Sequence, residues 1–410
     1  MQLTRPLHKA LQERPDATVL VCGERRQRFA EFVHRVSRLA AVLRSFGVAD
    51  GERVGMLALN SDRYVEFLYA TWWAGGVINP VNIRWSPQEI AYSLNDCDTT
   101  VLLVDEQFAP AAAELPALSR SLRTLIYIDD GPAPEGMQPG QSLIDAATPV
   151  DDACRHGDQL AAVMYTGGTT GLPKGVMLSH ANLVIGSLSA NMAARRPDEA
   201  VGINAAPMFH VGGVGLTVQL MMRLCKQVVM PVFDEPAMLQ AIEAERGSET
   251  FLVPTMIKRL IEHPRFAEFD TSSLELVLYG AAPIDEALLA QAMKALPHAG
   301  FCQLYGMTEL SPVITALPAW CHAPGQPTQR LRSAGRPVPI AEVRIVDAGG
   351  RPVPAGTVGE IAARGPMVMQ GYWNKPEQTA EVLKGGWMHT GDAGCIDRDG
   401  FVYVVDRIKD

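Results

Sequence analysis

Cysteine is scarce in this sequence and never grouped. Seven occur in 410 residues (Cys22, Cys97, Cys154, Cys225, Cys302, Cys321 and Cys395), and no two form a C-x-x-C. An odd, scattered set argues against a disulfide framework and suits a reducing compartment, with each thiol acting as a small buried hydrophobe. Cys321-His322 has no second ligand pair at suitable spacing, so a zinc site is not expected. Basic clusters are missing too. Lys and Arg number 36 against 45 Asp and Glu, for a net charge of −9. With no basic stripe, nucleic acid is excluded as a partner, and the acidic balance serves solubility. Residues 1–16 lack the apolar stretch of a secretory leader. Residues 201–222 carry no Asp, Glu, Lys or Arg, but Asn204, Pro207, His210 and four glycines interrupt them. That stretch reads as a buried strand–loop–helix and not as a membrane span. The chain is therefore expected to be soluble and cytoplasmic.

What is present is a normal globular balance, 47% hydrophobic and 20% charged, without repeats or low-complexity segments. The length implies two or more folding units. Residues 18–22 and 27–29 around Gly23-Glu24 predict a hairpin. Phe29, Phe32, Val33, Val36, Leu39, Ala40, Leu43 and Phe46 then recur at helical spacing, with Gly47 as a C-cap. Short apolar runs at 53–59, 100–104, 124–128, 160–165, 227–230, 250–253, 276–278 and 300–304 alternate with helical patterns. They predict an α/β architecture with buried parallel strands. After Ser311 the texture changes to short strands broken by Gly and Pro, at 341–346, 359–363 and 401–405, which predicts a small β-rich unit. The expected division is residues 1–322, 323–405, and a charged tether at 406–410.

The most chemical stretch is Tyr165-Thr166-Gly167-Gly168-Thr169-Thr170-Gly171-Leu172-Pro173-Lys174-Gly175-Val176. Closely spaced glycines let backbone N–H groups approach an anion, threonine hydroxyls add donors, and Lys174 adds charge. The bland alternative is a Gly/Thr-rich surface loop, which the lysine beside so many hydroxyls disfavours. It is not the ordinary P-loop, because Pro173 precedes the lysine and Gly175 stands where Ser or Thr belongs.

The stretch resembles the phosphate-loop signature of the adenylate-forming superfamily, which contains acyl-CoA synthetases, aryl-acid ligases, luciferases and peptide-synthetase adenylation domains. Gly167 stands where members often have serine. Seven further stretches match in order: 207–213, 280–283, 305–309, 333–337, 359–361, 387–392 and 406–410. The resemblance implies that this is the large N-terminal domain of an acyl-CoA synthetase. It would have two packed sheet-and-helix units and a small barrel-like one.

Several site roles follow from the same resemblance. Thr166, Gly167, Gly168, Thr169, Thr170, Gly171 and Lys174 would hold the phosphates of ATP. Gly280, Ala281 and Ala282 would pack on adenine, as would Tyr305. Gly306, Met307 and Thr308 would hold the adenylate, and Glu309, with Thr170 or Thr308, would hold Mg²⁺. Asp392 and Arg407 would take the ribose, His210 would meet or gate the acid, and Lys409 would be the hinge. Taken singly, a buried tyrosine is usually core, a lone histidine structural, and a carboxylate solvated.

By the same analogy Gly212, Leu216, Leu278, Ala281, Leu304, Pro312 and Val313 would line an apolar acyl tunnel. Leu304 would shorten it, which favours a short-to-medium aliphatic or small cyclic acid. Amino-acid-activating relatives tend to place Asp near His210, so an amino acid is a poor fit. In the family a second domain follows the hinge and delivers a catalytic lysine. On that basis these residues are expected to bind ATP and acyl-adenylate but to adenylate slowly or not at all. Coenzyme A is the expected acceptor. A carrier protein, or a non-catalytic nucleotide-binding module, is the alternative, and self-association into a homodimer is left open.

Overall fold

The structure is a computed structural model and describes residues 1–167, 171–197 and 199–408. The apolar runs of the sequence become two large sheets. One has nine strands, ordered Arg336–Pro337, Thr315–Leu317, Gly300–Tyr305, Leu276–Gly280, Glu249–Leu252, Val201–Asn204, Lys226–Val229, Thr18–Cys22 and Arg25–Arg28. Its middle is parallel and its ends antiparallel. The other has eight: Gly371–Tyr372, Lys174–Ser179, Leu160–Thr166, Val77–Pro80, Arg53–Leu57, Val101–Val104, Thr124–Tyr127 and Gln138–Pro139. Continuous apolar strands such as Val101–Val104 are buried throughout, as parallel strands covered on both faces must be.

The main core joins the two sheets through the helices Phe29–Ser45 and Asp62–Ala74. The helix predicted from Phe29 forms with its apolar stripe buried. Phe29 opens this helix and does not end the strand, because the Glu31 carboxylate accepts from the Arg28 N–H at 2.8 Å and caps it. Every residue of Asp62–Ala74 is buried, including Asp62, Arg63 and Glu66. Arg25 grips Asp62, while Arg35 and Gln27 grip Glu66, with Nε–Oε1 2.6 Å for Arg35. A buried charge demands such partners.

A third, antiparallel sheet comprises Glu342–Val346, Gly359–Arg364, Trp387–Ile396, Leu383–Lys384 and Val402–Arg407. Arg336–Pro337 still belongs to the nine-stranded sheet, so the chain enters the small sheet at Glu342, past the expected seam at 322/323. Gly371–Tyr372 leaves the small unit to pair with Lys174–Ser179. Residues 201–222 are the strand Val201–Asn204 and the helix Val211–Met222, as expected. No helix among the described residues is long and apolar enough to cross a membrane.

Candidate active site

The glycine- and threonine-rich stretch lies between two strands that pair with each other. In the structure Lys174–Ser179 is a strand pairing antiparallel with Leu160–Thr166, and the helix His180–Ala194 starts only after it. The cause lies in Val176 and Leu178, which alternate inward and are buried on the sheet. Thr166 lies opposite Lys174, the last strand pair before the connection. Gly168, Thr169, Thr170 and the expected hinge Lys409 lie outside the described residues.

Lys174 points its ammonium at the Tyr372 ring, 4.9 Å from the centroid. The Tyr372 hydroxyl donates to Glu309 Oε1 at 2.8 Å. Glu309 is buried, and desolvation raises its pKa against the lowering effects of Tyr372, Lys174 and Arg407. Tyr372 was not anticipated from sequence. It is positioned by pairing with Val176, nearly two hundred residues away, and nothing in Gly371-Tyr372-Trp373 separates it from a core aromatic.

A second cluster assembles around Asp392. Its strand pairs with Val402–Arg407 so that Asp392 lies directly opposite Arg407. Arg407 Nε stands 3.0 Å from Oδ1, and the Tyr305 hydroxyl donates to Oδ2 at 2.6 Å. Each carboxylate oxygen keeps a lone pair for another donor. Tyr305 ends the strand Gly300–Tyr305, so the small sheet and the nine-stranded sheet meet at this carboxylate.

Backbone geometry brings the remaining stretches close. Gly280 pairs with Leu304, and a Cβ on it would strike the Leu304 carbonyl. A Cβ on Gly306 would likewise strike the Pro312 carbonyl. Ala281 has φ 62°, a left-handed conformation costing about 1–3 kcal/mol in a non-glycine residue, as strained residues at functional sites do. Ala282 and Pro283 are exposed beside it. His210 caps the helix Val211–Met222, its ring tilted on Phe209 with centroids 4.2 Å apart. Desolvation, helped by the Arg84 charge, lowers its pKa, so the imidazole is neutral at pH 7.

His210, Ala281, Tyr305 and Gly306 border one cavity of about 500 Å³, while Lys174, Tyr372, Gly280, Ala282 and Asp392 stand outside its wall. Thr166, Gly167, Glu309 and Arg407 belong to its wall, and so do Gly212, Leu216, Leu278, Ala281, Leu304, Pro312 and Val313. The wall also holds Phe251 and Met256, which sequence reasoning passed over. It is not apolar throughout, because Arg196 and Gln219 complete it.

A cavity shared by an apolar wall and a cluster of phosphate-, ribose- and metal-type groups fits an acid-activating enzyme. Comparison with known proteins agrees: residues 7–373 match the AMP-binding enzyme family. The chain belongs to this family. It is 36% identical over 397 residues to a feruloyl-CoA synthase from an Amycolatopsis species, covering 97% of this chain and 76% of that protein. It is 32% identical over 416 residues to the fatty acid–[acyl-carrier-protein] ligase ScoC of Streptomyces coeruleorubidus, covering 97% and 76%. Its fold superposes on the N-terminal domain of FACL13 from Mycobacterium tuberculosis with a TM-score of 0.90 at 26% identity, covering 99% of each chain. The α/β architecture with its small β unit is that of the N-terminal domains of adenylate-forming enzymes, and the chain is a ligase of that kind.

Proposed function

We propose that the protein activates a carboxylic acid with ATP and transfers the acyl group to the thiol of coenzyme A. A carboxylate oxygen attacks the α-phosphorus, the bond to the pyrophosphate oxygen breaks, and acyl-adenylate forms. The thiol then adds to the acyl carbon, its proton is lost, and AMP leaves. The observation that carries this reading is the shared cavity, in which the Leu216–Leu304–Val313 wall adjoins Glu309, Thr166 and Arg407.

Two anions must approach in the first step, so preorganised cations and donors lower its barrier. Lys174, Thr166 and Gly167 face the phosphates, and Asp392 with Arg407 and Tyr305 takes the ribose hydroxyls. Gly280, Ala281 and Ala282 flank adenine. The neutral His210 at the mouth of the helix Val211–Met222 orients the carboxylate. Glu309 suits Mg²⁺, which takes one or two carboxylates beside substrate phosphates and water. Its buried carboxylate has a single side-chain donor among the described residues, Tyr372, and a raised pKa that a cation would relieve. When bound, the ion would neutralise phosphate charge.

The acid has an apolar body of short-to-medium length or a small ring, matching Leu216, Leu278 and Val313, with Leu304 narrowing the space. All seven cysteines are free, which suits work in a reducing compartment such as the cytoplasm. Loading of a carrier protein, the activity in ScoC's name, is the second reading. Thermal shifts with ATP·Mg²⁺ and with acyl-sulfamoyl adenosines of graded acyl length test the first step. Ligand at about a hundred times its dissociation constant adds about 2.7 kcal/mol of stability. A maximum at one acyl size supports the proposal, and no shift with any nucleotide overturns it. Turnover with coenzyme A or with a phosphopantetheinylated carrier separates the acceptors.

A further inference from the structure

Asp392 sits where its strand departs from regular pairing. Antiparallel strands match residue for residue, but Gly359–Arg364 and Trp387–Ile396 lose that register here. Between the pairs Glu360–Ala393 and Ala362–His389, one strand holds Ile361 alone and the other holds Thr390, Gly391 and Asp392. The surplus is a bulge, which re-aims a side chain and leaves backbone groups without ladder partners. Gly391 has φ 76°, in the left-handed region, although a Cβ there would meet nothing within 4 Å. Conformation, not space, is what calls for glycine at this position.

Two side chains catch the backbone of the bulge. Thr390 Oγ1 accepts from the Asp392 N–H at 3.1 Å and donates to the Ile361 carbonyl at 2.8 Å. Glu360 reaches over from the facing strand. Its Oε1 accepts from the Gly391 N–H at 3.0 Å, and its Oε2 lies 2.7 Å from His389 Nδ1. A Glu–His pair between neighbouring strands would alone be an ordinary cross-strand contact. The bond to Gly391 is different, because it fastens a carboxylate to the one residue whose backbone sets the direction of Asp392. The Gly391 carbonyl in turn accepts from the Ile408 N–H at 2.9 Å, one residue past the Arg407 that faces Asp392. Gly391 is thus held from both sides, by Glu360 and by the end of the strand Val402–Arg407.

We propose that Glu360, braced by His389, is a positioning residue for the nucleotide: it holds Gly391 so that Asp392 is presented to the ribose hydroxyls. Both Glu360 oxygens are engaged within the protein, so its effect on the nucleotide passes through Asp392. This inference rests on the acid-activating reading above, in which Asp392 takes the ribose.

The test compares ATP·Mg²⁺ with 2′,3′-dideoxy-ATP·Mg²⁺, which lacks the hydroxyls that Asp392 would accept from. Binding is measured by calorimetry on the intact chain, on Glu360→Ala and Glu360→Gln, and on His389→Ala. The wild type should bind ATP about tenfold or more tighter than the dideoxy nucleotide, the size of one charge-assisted hydrogen bond. Glu360→Ala should erase most of that margin by weakening ATP alone, with dideoxy-ATP bound as before. Glu360→Gln keeps an acceptor for Gly391 and should restore most of the margin, and His389→Ala should lose part of it. In an Asp392→Ala background, Glu360→Ala should weaken neither nucleotide further. A wild-type margin in Glu360→Ala, or equal weakening of both nucleotides, overturns the inference alone. Should Glu360→Ala fail to fold, His389→Ala decides in its place, and an undiminished margin there overturns the inference. Equal binding of the two nucleotides by the wild type would instead overturn the ribose role of Asp392, and this inference with it.

Discussion

Asp392 concentrates more of the proposed chemistry than any other side chain, because both its oxygens are already aligned by Arg407 and Tyr305. Asp392→Asn keeps the shape and removes the charge, so ATP should bind about tenfold or more weaker, the size of a charge-assisted bond. Calorimetric titration with ATP checks this, and unchanged affinity would dismiss the ribose role. Leu304 tests the cavity instead. It is buried on the wall, and Leu304→Gly opens space there. The variant should shift the best-bound acyl-adenylate analogue to a longer chain and lose about 2–5 kcal/mol of stability. An unchanged length preference would remove Leu304 as the determinant. Both residues stand in or beside contiguous motifs and were legible in the sequence. Arg196 was not: Arg195-Arg196-Pro197 after a helix reads as an ordinary C-terminal cation on a solvated face.

Elements differ in how openly they announce themselves. The helix Phe29–Ser45 shows its buried stripe in its periodicity. The helix Asp62–Ala74 hides its fate, since Asp62, Arg63 and Glu66 would conventionally mark an outer face. They are buried because Arg25, Arg35 and Gln27 arrive from the hairpin and neighbouring helix to meet the two carboxylates, while Arg63 pairs with Glu66 and Asp130. Arg35→Met should therefore destabilise the fold by about 3 kcal/mol, the cost of stripping a partner from a buried charge. Urea midpoints measure this directly, and a change below about 0.5 kcal/mol would show that Arg63 and Gln27 suffice for Glu66. The strand Lys174–Ser179 was missed for a related reason. Its single turn of alternation after a glycine-rich loop is too short to compete with the helical pattern beside it.

At the scale of the whole molecule, burial also sets the response to acid. His180 packs at the start of the chain, donated to by the Leu3 N–H, and His322 pairs with the Tyr279 hydroxyl at 2.9 Å. Burial lowers both pKa values from 6.5 to about 4. The unfolded chain therefore takes up protons near pH 6.5 that the folded one refuses until about 4. Their contribution to stability is complete above 6.5 and is lost as pH falls from 6.5 to about 4. Asp105 works in the opposite sense, its pKa raised to about 6 by desolvation, so the comparison must be between variants. Stability should fall less steeply over that range in His322→Gln than in the wild type, as read from denaturant midpoints at stepped pH. Parallel curves would refute the assignment. By itself the sequence determined the α/β class, the small β unit and the contiguous motifs around Lys174, His210, Glu309 and Asp392. Each of those depends on local periodicity or on residues adjacent in the chain. Tertiary structure alone decided that Tyr372 links Lys174 to Glu309 and that Asp392 faces both Arg407 and Tyr305. It also placed Arg196 on the wall of the cavity. These are contacts between segments up to two hundred residues apart, and only the pairing of strands and the packing of sheets brings such segments together.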